Sequence, residues 1–231
     1  MRKSLEYLFL LVAAIEIGAE IIGNETLKFI AKPLLMITLI AYYAQGVNGR
    51  WSNKHRQMVV AFVFSWFGDV TLMFVYVNPN FFLAGLVSFL ITHILYTLSF
   101  ANVTNKGAVA LLPKKFWVLT PLLIYMGILL SLLLPAIYSN PETKPVLIPV
   151  IVYTTAISMM VAFSINRIWR VSDLSFMLVF AGAMLFMFSD SMIAINRFLT
   201  PFAGANICIM VTYIAGQYLI AKGILAEQNT K

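Results

Sequence analysis

The chain has 231 residues, 61% of them hydrophobic and 11% charged, with a mean hydropathy of +0.89. A globule of that composition has too few polar side chains to solvate its surface, which excludes a water-soluble enzyme or binding module and leaves a polytopic membrane protein. The net charge of +7 does not imply nucleic acid, because the basic residues sit in short loops beside apolar segments, where anionic lipid is the ordinary partner.

Eight apolar segments are predicted at roughly 4–22, 30–46, 56–77, 81–101, 115–134, 145–165, 173–196 and 203–223, each near the ~20 residues that cross a bilayer as a helix. The first opens on Met1-Arg2-Lys3-Ser4, as a signal peptide does. Its apolar run continues to Ile22 without a cleavage site, so it is read as a retained helix. The tight link Asn78-Pro79-Asn80 makes the third and fourth segments antiparallel neighbours. The longest irregular pieces, Asn102 to Lys114 and Pro135 to Lys144, are too short for a soluble domain, and residues 1–231 are expected to form one integral membrane domain. Cys208, the only cysteine, lies inside the last segment, which rules out an internal disulfide and argues against a cysteine metal site.

With eight spans the two termini share a face. The opposite face holds four basic residues, Lys28, Lys32, Lys144 and Arg197, which leaves the other 12 of 16, Lys106 and Lys231 among them, on the side of the termini. By the positive-inside rule that side is cytoplasmic. The expected architecture is an all-α bundle of eight transmembrane helices with both ends in the cytoplasm, and the expected location is a bacterial inner membrane. Three short matches hint at duplication. Lys32-Pro33-Leu34-Leu35-Met36 returns as Lys144-Pro145-Val146-Leu147-Ile148, Phe67-Gly68-Asp69 as Phe188-Ser189-Asp190, and Ile91-Thr92-His93-Ile94 as Val211-Thr212-Tyr213-Ile214. Their spacings disagree by about nine residues, and no function rests on them.

A charge at the centre of a span costs at least ~2.5–3.5 kcal/mol on insertion scales, so each one needs a reason. Glu16, Glu20, Lys32, Asp69, His93 and Asp190 are the candidates. Counting ~1.5 Å per residue from the non-cytoplasmic ends, Asp190 and Glu16 lie about 9 Å deep, Asp69 about 12 Å and His93 about 18 Å. These depths fit one polar cavity in the outer half of the bundle. Asn206, Met210, Tyr213 and Gln217 form a stripe along one face of the last segment, as Gly85, Ser88, Thr92, Tyr96 and Ser99 do along the fourth. Small and hydroxylated stripes also serve plain helix packing. Gly68 is expected to admit a neighbouring backbone beside Asp69. Glu20 is shallow enough to be solvated, Lys32 can snorkel to the interface, and a lone His93 is more often a hydrogen-bonded interior histidine than a catalyst. Asp69 and Asp190 stand apart as two deep acids on separate helices, each preceded by a small residue.

Two neighbouring carboxyls in an apolar site divide labour: one is held as a neutral acid while its partner is ionised. Such a pair can cleave acetal-like bonds, with one group donating a proton and the other steadying an oxocarbenium-like cation or orienting water. It can equally carry protons or bind a cation in a secondary transporter. Residue chemistry alone leaves both open.

Lys32-Pro33-Leu34, Gly68-Asp69 with Leu72-Met73, Gly85-Leu86 through Phe89 with His93 and Tyr96, Ser189-Asp190-Ser191 with Ile193-Ala194-Ile195-Asn196, and Tyr213 with Gln217 occur in an order that resembles the YhhN family of membrane lysoplasmalogenases over nearly the whole chain. The resemblance implies hydrolysis of the vinyl ether bond of a lysoplasmalogen to a fatty aldehyde and a glycerophospho-head group. It makes Asp69 and Asp190 the acid/base pair, gives His93, Tyr213 and Gln217 the orienting of water or substrate, and makes Lys32 a contact for the phosphate. The partners it implies are the lipid substrate, water and the surrounding membrane lipids, and its scheme needs neither a metal nor an organic cofactor.

Overall fold

A computed structural model describes residues 2–103 and 110–227, so Lys106 and Lys231 lie outside the described residues. The long helices are α1 (Arg2–Ile22), α2 (Glu25–Val47), α3 (Asn53–Met73), α4 (Asn80–Ala101), α6 (Thr120–Ser139), α7 (Leu147–Ile165), α8 (Asp173–Phe198) and α9 (Ala205–Ala226), with a single-turn α5 (Leu111–Lys114) before α6. Among the described residues all regular structure is helical. Six helices, α2, α4, α6, α7, α8 and α9, are long and apolar enough to cross a membrane, and the chain is an integral membrane protein. The other two long helices are as extended but more charged: α1 carries Arg2, Lys3, Glu6, Glu16 and Glu20, and α3 carries Lys54, Arg56 and Asp69.

Helix ends depart from the apolar runs where capping chemistry overrides hydropathy. α2 starts at Glu25, inside what reads as a loop, because Asn24 caps it by accepting from the Leu27 amide at 3.0 Å. The turn from α1 needs Gly23 at φ +69°, a left-handed conformation that glycine adopts without strain. α3 ends at Met73, four residues before the predicted limit. α6 runs on through Pro135 to Ser139, beyond the apolar segment that stops at 134. Pro33 is the ninth residue of α2, which continues through it. Its ring leaves the Phe29 carbonyl without the usual intrahelical donor.

The two most extensive interfaces are α8 with α9 and α3 with α4. At the first, a Cβ on Gly182 would lie 2.8 Å from both Gly216 O and Ile220 N, so the two backbones touch in the manner of small-residue membrane interfaces. At the second, Gly68 does not admit a backbone as expected. A Cβ there would meet the ring of Phe89 at 2.6 Å, and the missing side chain is the seat of that ring. The core between these pairs holds the fully buried Tyr42, Tyr43, Phe62, Tyr96, Phe100 and Phe186. α6 sits at the periphery, with only Leu122, Leu133 and Ile137 buried.

The end of the bundle where α3 begins and α9 finishes is closed by a buried charge cluster. Glu227 accepts from Lys54 Nζ at 2.7 Å and from an Arg167 guanidinium nitrogen at 3.0 Å. Arg167 also donates to Ser175 Oγ at 2.8 Å, and Ser175 donates to Gly223 O at 2.7 Å. In the turn between α7 and α8, burial pushes the Arg167 guanidinium below its ordinary range, against the opposing pull of Glu227.

Candidate functional site

Asp69 projects from α3 into a closed hydrogen-bond network. Tyr213 of α9 donates to Asp69 Oδ2 at 2.7 Å. One turn along α9, Gln217 donates to Tyr213 OH at 3.3 Å and to Ser65 Oγ at 3.0 Å, while Tyr96 of α4 donates to the Gln217 carbonyl oxygen. Ser65 in turn donates to Thr92 Oγ1 at 3.2 Å. The periodic stripes on the third, fourth and last segments thus converge, because positions three and four apart share a helix face. Only 4% of Asp69 remains exposed.

Asp190 of α8 belongs to a second network. Tyr153 of α7 donates to Asp190 Oδ2, and His93 Nε2 lies 3.1 Å from the same oxygen and 2.9 Å from Tyr153 OH. His93 is completely buried. Phe186 stands between the two networks, its ring centroid 4.9 Å from that of His93 and 5.4 Å from that of Tyr213, with Phe89 edge-on to Phe186 and Tyr213. The acids therefore occupy adjoining compartments separated by an aromatic wall.

Two cavities approach these networks, in place of the single polar cavity expected from the depths. A largely apolar one of about 60 Å³ runs between α4, α6, α7 and α8, its polar groups those of Asp190, Tyr125, Tyr153, Thr154, Ser158 and Ser191. A polar one of about 290 Å³ opens among α1, α2, α3 and α9, lined by Glu20, Glu25, Lys28, Lys32, Tyr76 and Asn206 among others. Leu72, on the face of α3 that carries Asp69 one turn earlier, lines both. Asp69, His93, Tyr213 and Gln217 line neither and lie behind the walls.

Within the polar cavity the two lysines differ. Lys28 bridges Glu20 at 3.0 Å and Glu25 at 2.9 Å. Lys32, half-buried one turn deeper, has no ion pair among the described residues, which leaves its ammonium available to an anionic group. Glu20, expected to be solvated, has a side chain only 5% exposed and is paired with Lys28. Glu16, one turn inward from it, is fully buried with no hydrogen-bond partner for either carboxyl oxygen.

Sequence reading overlooked Tyr153. It sits near the middle of the 145–165 segment, where an interfacial tyrosine has no reason to be, and that position was the signal. No group of three or more histidine, cysteine, aspartate or glutamate side chains able to hold a metal occurs among the described residues. No solved structure matches the chain. The model of the YhhN family matches residues 27–224, from the first turn of α2 almost to the end of α9 and across both acid networks. The chain belongs to the YhhN family.

Proposed function

We propose that the protein is a lysoplasmalogenase, a hydrolase that cleaves the vinyl ether bond of a lysoplasmalogen within the membrane. One observation carries this reading: an apolar cavity with Asp190 on its wall and a polar cavity with an unpaired Lys32 share the side chain of Leu72. That arrangement suits a single-chain amphiphile whose vinyl ether end enters the first and whose phosphate reaches the second. Membership of the YhhN family is consistent with it. The protein acts as one membrane domain of eight spans, α1 and α3 included, with cytoplasmic termini, and resides in a bacterial inner membrane.

The chemistry follows from the substrate. One aspartic acid of the Asp69–Asp190 pair donates its proton to the vinyl carbon β to the ether oxygen, and the positive charge settles on the adjacent carbon and oxygen as an oxocarbenium ion. Water adds to that carbon and loses a proton to the other aspartate. The hemiacetal then collapses: the bond from carbon to the glycerol oxygen breaks, the hydroxyl proton passes to the leaving oxygen, and the aldehyde remains. One water is consumed, and the pair regains its starting state by exchanging a proton. His93, Tyr213 and Gln217 fix the carboxyls and the water, and no metal or organic cofactor enters the scheme.

The rival reading, a proton- or cation-coupled carrier, expects helices broken near the midplane. α3, α4, α8 and α9 run uninterrupted through Asp69, His93, Asp190 and Tyr213. The test is aldehyde release by the purified protein in detergent. The vinyl ether lipid is expected to turn over, while the saturated alkyl ether analogue, which cannot form the cation by protonation, binds without reacting. Lys32→Ala is expected to raise KM about tenfold or more with kcat little changed, since a phosphate contact remote from the reacting carbon contributes alike to ground and transition states. Proton-coupled uptake into vesicles with no aldehyde formed would establish the carrier.

A further inference from the structure

Asp190 presents a geometry that the acid/base scheme does not by itself require. A tyrosine hydroxyl has one proton, and that of Tyr153 is directed to Asp190 Oδ2. His93 Nε2 faces two oxygens, Tyr153 OH at 2.9 Å and Asp190 Oδ2 at 3.1 Å. With the tyrosine proton already committed, Nε2 must carry the hydrogen that binds them, an assignment made from the network. The other ring nitrogen, Nδ1, is buried and without a partner, as suits a bare lone pair better than a second N–H. Two donors from two helices, α7 and α4, thus close on the same carboxylate oxygen. Oδ1 is left as the oxygen free to meet a ligand in the apolar cavity, whose wall both Asp190 and Tyr153 form.

The geometry points to Tyr153 as a positioning residue that, with His93, clamps Asp190 Oδ2 and thereby turns Oδ1 toward the reacting carbon. This rests on the lysoplasmalogenase reading and deepens it, because the two aspartates cease to be equivalent. Asp190 is the carboxyl that faces the alkenyl chain, whereas Asp69 lies behind the cavity walls. The clamp is itself held on its histidine side. The His93 ring lies edge-on to Tyr153 at 5.1 Å and to Phe186 at 4.9 Å, which leaves the imidazole little freedom to rotate away.

Tyr153→Phe keeps the ring and the cavity wall and removes only the donor. With a lysoplasmalogen in detergent its kcat is expected to fall about 10- to 100-fold, the size of one lost hydrogen bond to a charged group, with KM within about twofold of wild type. A residue that merely shapes the cavity would do the reverse, raising KM at constant kcat, and that result overturns the proposal. His93→Gln, which retains an N–H donor, is expected to keep more of kcat than the similarly sized His93→Leu; equal losses in two folded variants also count against the clamp. An active wild type with an unchanged Tyr153→Phe sinks this inference alone, whereas a wild type that releases no aldehyde sinks the activity reading and this one with it.

Discussion

Asp69 and Asp190 each accept hydrogen bonds that an asparagine can also accept, so Asp69→Asn and Asp190→Asn should fold like wild type. Each should lose about 100-fold or more in aldehyde release, the usual weight of a positioned acid or base. Retained thermal stability beside wild-type turnover in either variant removes that residue from the chemistry. Glu16 makes a different case. A buried carboxyl with no partner for either oxygen leaves polar atoms desolvated without compensation, and Glu16→Met should raise the thermal midpoint in detergent by an amount equivalent to ~1–3 kcal/mol. A lowered midpoint would mean that Glu16 has a partner in the folded protein. At this scale the acids were legible because a charge in an apolar run cannot hide. Tyr153 was less so: its place near the middle of a span marks it, but its role shows only where its hydroxyl ends on the Asp190 carboxylate.

Helices were legible to the extent that hydropathy decides them. The apolar runs locate every long helix, because lipid demands that backbone groups be satisfied within the segment. They misplace the ends that polar caps decide, as Asn24 does for α2. Interfaces were less legible still, for a glycine announces a close approach without saying to what. Gly68 seats a ring and Gly182 a backbone. Substitution should separate real contacts from incidental small residues: Gly182→Ala forces α8 and α9 apart and should cost ~1–3 kcal/mol of stability, whereas Gly127→Ala, with nothing within 4 Å of the new methyl, should be near neutral. Thermal unfolding of the two variants side by side decides it.

At the scale of the molecule, residues of the three short matched segments meet across the bundle. The matched segments equate Asp69 with Asp190 and His93 with Tyr213, and in the fold each aspartate pairs with the matched residue of the other half, Asp69 with Tyr213 and Asp190 with His93. Orientation is tested by labelling single cysteines in a Cys208→Ser background: one at Asn140 should react with an impermeant reagent from outside and one at Asn53 should not, and the opposite pattern reverses the topology. Among the described residues, Leu72 alone lines both the apolar and the polar cavity. Hydrolysis has two substrates, and the second, water, has its natural reservoir on the polar side of that side chain. On the proposed hydrolase reading, Leu72 is a sill between the cavity for the vinyl ether end and the cavity from which water enters.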